Sequence, residues 1–169
     1  MDILEAIHTR RSIRKFTDQP VDKELVTQLL QAAMAAPSAG NAQPWHFVVI
    51  EDRPTLDRIP EFHPYAAMCR QAPLAILVCG DPTLEKYPGF WVQDCSAAVQ
   101  NLLLAARGLG LGAVWTGIHP DQPRSTGMRN LLNLPEHIQP LALIPVGHPD
   151  QPSAAVDRFQ PTRIHHDRW

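Results

Sequence analysis

The sequence predicts a layered sandwich of helices against a sheet, of the α/β or α+β class. Three observations predict it: four compact apolar runs rich in β-formers, three helical stretches with apolar stripes, and glycines or prolines at their borders. At 169 residues and 44% hydrophobic content the chain can bury a core of its own, so residues 1–169 are read as a single domain. Its 17 prolines fall between apolar segments, which predicts rigid connections and an ordered, loop-rich surface.

Asp2 and Glu5 form a capping-box pattern, and Ile3, Leu4 and Ile7 share one helical stripe. A first helix is therefore expected over roughly residues 3 to 10, ending at the arginines. Asp22 is the expected N-cap of a second helix, whose stripe is Leu25, Val26, Leu29, Leu30 and Ala33 and which Pro37 ends. The following SAGNAQP reads as a loop. HFVVI (46–50), LAILVC (74–79), AVWT (113–116) and LALIPVG (141–147) read as strands. Between the second and third of these, Asp94 to Arg107 is apolar round most of a helical circumference, so that helix is expected to be buried almost all round until Gly108 stops it. The polar tail over 150–169 is expected to run along a surface, as a C-terminal extension that wraps a partner subunit.

A net charge of −2 lacks the broad basic face that a nucleic-acid backbone requires, so nucleic-acid binding is not expected. Nor is a membrane role or a signal peptide, because no apolar run reaches spanning length and the first residues carry acidic groups ahead of basic ones. Cys69, Cys79 and Cys95 are odd in number and lack CxxC spacing, which predicts neither a disulfide framework nor a zinc site and suits the cytoplasm. The eight histidines are dispersed without an HxxxH pair, so no metal is expected. There is no GxSxG elbow, and Cys95 sits within an apolar stripe, as a core thiol would.

GLGLGA, Gly108 to Ala113, matches the letters of a dinucleotide-binding fingerprint. That fingerprint needs a strand before and a helix after, so that a pyrophosphate meets the helix N-terminus. Here the order is reversed, and the glycines read as a helix C-cap followed by close helix–strand packing.

HTRRSIRKF, His8 to Phe16, concentrates positive charge in a chain that is slightly acidic overall. Arg10 and Arg11 can complement the negative end of the first helix. Arg14 needs another reason, because Ser12, Ile13 and Arg14 alternate as an extended segment that puts the hydroxyl and a guanidinium on one side. Convergent guanidinium forks with a hydroxyl suit a phosphate monoester. On spacing alone this reading and a solvated charge run stand level. Two further segments offer chemistry. The loop PSAGNAQPW can present neutral donors from Ser38, Asn41 and Gln43, and Gly117 in VWTGIHP lets a flat ligand approach the backbone.

Taken together and in this order, RRSIRKF, PSAGNAQPWHF, QDCSAAVQNLLLAARGLGLGAVWTG and a late VGHP resemble the nitroreductase family of FMN-dependent oxidoreductases over nearly the whole chain. The resemblance implies an α+β fold, a three-layer α/β/α sandwich with a mixed, mainly antiparallel sheet, and a homodimer with FMN at the subunit interface. It implies that Arg10, Arg11 and Ser12 meet the FMN phosphate and ribityl chain, with Arg14 at the pyrimidine edge. Pro37, Ser38 and Asn41 would come from the other subunit. Trp115, Thr116 and Gly117 would lie along the isoalloxazine, with a backbone N–H there facing flavin N5. Arg158, or alternatively Arg163, would reach the phosphate from the tail.

The same resemblance implies hydride transfer from NADH or NADPH and ping-pong reduction of an acceptor such as a nitroaromatic or quinone, with Arg14 and Gly117 as the residues nearest the chemistry. A cofactor that carries the chemistry accounts for the lack of triads and metal ligands. A flavin-consuming or dehalogenating enzyme on this scaffold, and a non-enzymatic FMN-binding module, are the alternatives. The segment from Glu61 to Trp91 is shorter than in larger family members, and Tyr65, Tyr87, Phe90 and Trp91 are candidates to line the acceptor pocket.

Overall fold

A computed structural model describes residues 1–153 and 156–169; Ala154 and Ala155, within the expected 150–169 extension, lie outside the described residues. Five strands form one sheet: β1 (Trp45–Ile50), β2 (Leu74–Gly80), β3 (Gly112–Ala113), β4 (Thr116–Gly117) and β5 (Gln139–Gly147). The order is β1-β2-β5-β3, with β4 also on β5, and every named strand pair is antiparallel. A single parallel bridge, Ser12 to Ala113, adds the N-terminal segment to the free edge. The sheet is thus mixed and mainly antiparallel.

Period-two alternation in β2 and β5 generates the three layers. Leu74, Ile76 and Val78 with Ala142, Ile144 and Val146 face one core, shared with helices α2 (Lys23–Met34) and α4 (Trp91–Gly108). Ala75, Leu77, Cys79 and Leu143 face a second core, closed by Leu56 of α3 (Arg53–Arg58) and Met128 of α5 (Gln122–Leu132). Both central strands are buried on both faces, which is why they read as unbroken apolar runs.

The expected helices are present. The first, α1 (Ile3–Thr9), starts at Asp2, whose carboxylate accepts from the Leu4 N–H at 3.4 Å. In α4 Gln93, Gln100 and Gly108 are exposed and the rest is buried or half-buried. The structure corrects the sequence reading in one strand: AVWT is not continuous, because β3 and β4 are separate two-residue pairings in one register with β5, and between them Val114 donates to the carbonyl of Pro145, which has no N–H to return the bond. The helices α3 and α5 were not expected. Each presents one fully buried side chain, Leu56 and Met128 respectively, too little to draw an apolar stripe.

Glycines set the spacing where backbone meets side chain. A Cβ on Gly112 would lie 2.6 Å from Ile13 Cγ2, so the close packing expected of the GLGLGA segment is against the N-terminal segment. A Cβ on Gly127 would lie 2.2 Å from the Phe62 ring, which seats the turn around residues 59–66 directly on α5.

Candidate active site

Past the end of α1 the chain turns extended at Arg10 and joins the sheet edge, where the Ile13 N–H donates to the Ala113 carbonyl at 3.0 Å. Ile13 and Phe16 are buried, while Arg14 and Lys15 between them are exposed and Ser12 before them is half-buried. Gln151 locks this segment from the far end of the sequence. Its Oε1 accepts from the Arg14 N–H at 2.8 Å and the Lys15 N–H at 3.0 Å, and its Nε2 donates to the Ser12 carbonyl at 3.5 Å. Nothing local marks Gln151 in the sequence.

Beneath the segment lies a cavity of about 170 Å³ walled by Arg10, Arg11, Ile13, Arg107 and Gln151 among others. A neighbouring opening of about 350 Å³ shares Arg10 and Arg11 and adds His8 and Arg158. Four guanidinium groups therefore border two adjoining spaces. Burial, followed by the charges of Arg11 and Arg158, pushes the Arg10 guanidinium down from its ordinary value, the response of a cation held among like charges. Arg107 Nε donates to Thr9 Oγ1 at 3.0 Å, which fixes a residue the sequence reading did not single out. Arg11 donates to the carbonyls of His8 at 3.0 Å, Arg10 at 2.6 Å and Val156 at 3.4 Å, so the helix-end role accounts for much of this residue. Arg158 borders the opening, whereas Arg163 stands in a separate exposed turn over Pro161–Arg163 and is in neither wall.

On the other side of the segment is a slot of about 450 Å³ lined by Arg14, Tyr65, Met68, Trp115, Thr116 and Gly117 among others. Ile13 and Ala113 wall the basic cavity while the next residues, Arg14 and Val114, wall the slot, so the two spaces flank the same stretch of the sheet edge. Antiparallel alternation then orients the edge. The N–H groups of Val114 and Ile118 donate into β5, at 3.3 and 3.0 Å, and Thr116 pairs with Leu143. The N–H groups of Trp115 and Gly117 therefore point away from β5, on the side of the slot that both residues line. Thr116 Oγ1 donates to the Leu143 carbonyl at 2.8 Å, so its side chain reinforces the pairing with β5. A Cβ at Gly117 would meet nothing within 4 Å, so that face is open.

Pro37, Ser38 and Asn41 are in neither wall. Their loop is held elsewhere: Ala39 N–H donates to Asp94 Oδ1 at 2.9 Å, Ser38 Oγ accepts from Gln43 N–H at 3.0 Å, and Lys86 Nζ donates to the Gly40 carbonyl. Of the four aromatic candidates only Tyr65 lines the slot. Trp91 is buried beneath Gly80 and edge-on to His119 at 5.0 Å, a packing role that removes it from the acceptor pocket. Tyr87 and Phe90 are exposed and meet edge to face at 6.2 Å.

Burial drives the thiols of Cys69, Cys79 and Cys95 up to about 12, the state of inert core residues rather than nucleophiles. Among the described residues no group of three or more His, Cys, Asp or Glu side chains is placed to hold a metal ion. Among the same residues no helix is long and apolar enough to cross a membrane.

His63 is fully buried, and neither ring nitrogen has a hydrogen-bond partner. Burial, then the charge of Arg124, lowers its pKa below the ordinary 6.5, and the Gly117 backbone and Asp121 oppose the shift without reversing it. A histidine depressed in the folded state costs stability once the unfolded chain can take up its proton. Stability should therefore be level above pH 6.5 and fall as pH drops from 6.5 towards the folded value. Thermal melts between pH 8 and 5 check this; His63→Leu is expected to flatten that limb, and an unchanged limb contradicts the assignment.

The profile of the "Nitroreductase family" matches residues 7–63 and 60–148. A Methanothermobacter thermautotrophicus protein provisionally named NADH dehydrogenase/NAD(P)H nitroreductase is 56% identical over all of this chain and 88% of its own length. A Parabacteroides distasonis crystal structure under the same provisional name superposes with TM-score 0.95 at 46% identity, covering 99% of this chain and 98% of that one. A Desulfovibrio desulfuricans nitroreductase structure, described as a complex with FMN, superposes at TM-score 0.85 and 34% identity, covering 100% and 98%. A profile match along most of the length, joined to fold likeness at such identities, shows that the chain belongs to the nitroreductase family.

Proposed function

We propose that the chain takes hydride from NADH or NADPH onto FMN and passes it to a planar acceptor such as a quinone or nitroaromatic, with donor and acceptor using one slot in turn. Family membership makes it an FMN-dependent NAD(P)H oxidoreductase; the acceptor and the ping-pong order are the proposed part. The observation that carries the reading is the pair of spaces that flank Ile13–Arg14, one bordered by Arg10, Arg11 and Arg107 and the other lined by Arg14, Tyr65, Trp115 and Gly117.

These residues fit the cofactor. Arg10 and Arg107 border one space and Arg10 and Arg158 the adjoining one, so guanidinium donors surround a place for a phosphate, and the Ser12 segment carries the chain from there to the ring end. When bound, FMN supplies two-electron redox chemistry at its ring. Arg14 at the slot supplies a fixed positive charge that favours a reduced, more negative ring. Trp115 and Gly117 offer outward N–H groups, and Gly117 leaves the ring room to lie close.

The reading includes a homodimer in the cytoplasm. Ile3, Leu4 and Ile7 on α1, and Val156, Phe159 and Ile164 in the tail, are exposed apolar side chains that a second copy would cover. Pro37, Ser38 and Asn41, which face neither space in their own chain, would complete the partner's site, and the 150–169 extension would wrap it.

The test is the visible spectrum of the purified protein before and after NADH under anaerobic conditions. A flavin band that NADH bleaches and a quinone restores is expected. A colourless preparation that takes up no added FMN contradicts the proposal. Bleaching without restoration by any quinone or nitroaromatic leaves the FMN-binding module standing in its place.

A further inference from the structure

The slot is lined from distant parts of the chain, by the edge strand with Gly117 and by the segment carrying Tyr65. Tyr65 is largely exposed, in a turn that follows the buried His63, and Gly117 is the last residue of a two-residue strand. One side chain behind them reaches both. Arg124, in the first turn of α5, donates from Nη1 to the Gly117 carbonyl at 3.1 Å, and its guanidinium carbon lies 5.0 Å from the Tyr65 ring centroid. Asp121, the N-cap of the same helix, holds Arg124 Nε at 3.5 Å and accepts from the Arg124 N–H at 3.0 Å.

The fork is therefore oriented by its own helix end, bonds one wall and stacks on the other. A planar guanidinium can do both at once; an ammonium cannot. The base under Tyr65 is rigid for a second reason, because Phe62 fills the place of the missing Gly127 side chain on α5 and His63 is fully buried. Arg124 is not itself in the slot wall. We infer that Arg124 is a positioning residue that sets the separation of Tyr65 and Gly117, and so the fit of planar donors and acceptors, without touching FMN.

This rests on the proposed FMN function. Without the clamp Tyr65 swings free, and a flat molecule loses one of the side chains that line the slot. The loss appears in KM, since Gly117 keeps its pairing with Ala142 in the sheet and Arg14 is not touched.

Steady-state kinetics with NADH and 1,4-benzoquinone test it on the FMN-loaded enzyme. Arg124→Met is expected to raise KM for the quinone roughly fivefold, the upper end for an exposed cation–π contact. Its kcat, FMN dissociation constant and melting temperature should stay within about twofold or a few degrees, the split that separates lost substrate fit from lost structure. Tyr65→Leu should reproduce the KM effect, Tyr65→Phe should match wild type, and Arg124→Lys should fall between. Because the two side chains act as one unit, Arg124→Met combined with Tyr65→Leu should be no worse than the poorer single variant.

Unchanged KM in Tyr65→Leu overturns the inference even where Arg124→Met fails to fold, and so do additive effects in the double variant. Loss of FMN binding in Arg124→Met with normal KM in Tyr65→Leu also overturns it, in favour of a structural arginine. A wild-type protein that neither binds FMN nor bleaches with NADH would instead overturn the underlying function and the inference with it.

Discussion

Arg10→Ala is expected to weaken FMN retention by about 2–5 kcal/mol, the usual cost of truncating one partner of a desolvated, hydrogen-bonded charge pair. The expectation comes from where Arg10 stands. It is half-buried, it borders both basic spaces, and Arg11 and Arg158 are close enough to push its pKa down. A protein that gathers like charges at a partly buried point stores repulsion there until an anion relieves it. Arg11→Ala should do less to FMN and more to the tail, because the Arg11 guanidinium already donates to three backbone carbonyls, one of them Val156. Fluorescence titration of FMN into the apoprotein measures both. Equal FMN affinity in wild type and Arg10→Ala would remove the basis for placing the phosphate at this point.

Gly112→Val tests the mechanical half of the same account. The Cβ position at Gly112 lies 2.6 Å from Ile13 Cγ2 and 2.8 Å from Ile13 Cβ, so a side chain there must drive Ile13 off the sheet edge. Overpacking of this kind typically costs about 1–3 kcal/mol of stability. Here it should also cost FMN affinity, because Ile13 sits between Ser12 and Arg14 and the bridge to Ala113 is what points them outward. Gly110→Ala is the control. Its φ of +76° penalises a side chain, by about 1–2 kcal/mol, but open space surrounds it and the N-terminal segment is not touched. Urea unfolding and FMN titration should therefore show both variants destabilised and only Gly112→Val impaired in binding.

The parts of the fold that were legible in the sequence are those whose burial is repeated locally. The strands β2 and β5 bury both faces and α4 buries most of its circumference, so each wrote a dense apolar run. The helix α5 buries only Met128 and carries Gly127 in its middle, a residue kept for the Phe62 ring and not for helix formation. Its start signal, Asp121 followed by Pro123, was present in the sequence without an apolar stripe to support it. AVWT read as one strand because all four residues suit a strand, and the break at Val114–Trp115 falls opposite Pro145, which has no N–H to donate back.

The site divides in the same way. Arg10, Ser12 and Arg14 were legible because the motif is contiguous and the extended segment keeps them in step. Gln151, Arg107 and Arg124 were not, because each acts on a segment distant in sequence: Gln151 on residues 12–15, Arg107 on Thr9, Arg124 on Tyr65. Side chains that work through long-range contacts leave no local spacing to read. Trp91 shows the reverse error, an aromatic near the expected pocket that packs on Gly80 instead.

Phosphate recognition by the early arginines is the claim on which the rest depends, and comparing FMN with riboflavin tests it most directly. The two differ only in the phosphate. Calorimetric titration of each into the same apoprotein is expected to give FMN an advantage of at least about a hundredfold, the scale of two or more charge-assisted hydrogen bonds. Riboflavin binding as tightly as FMN would contradict it.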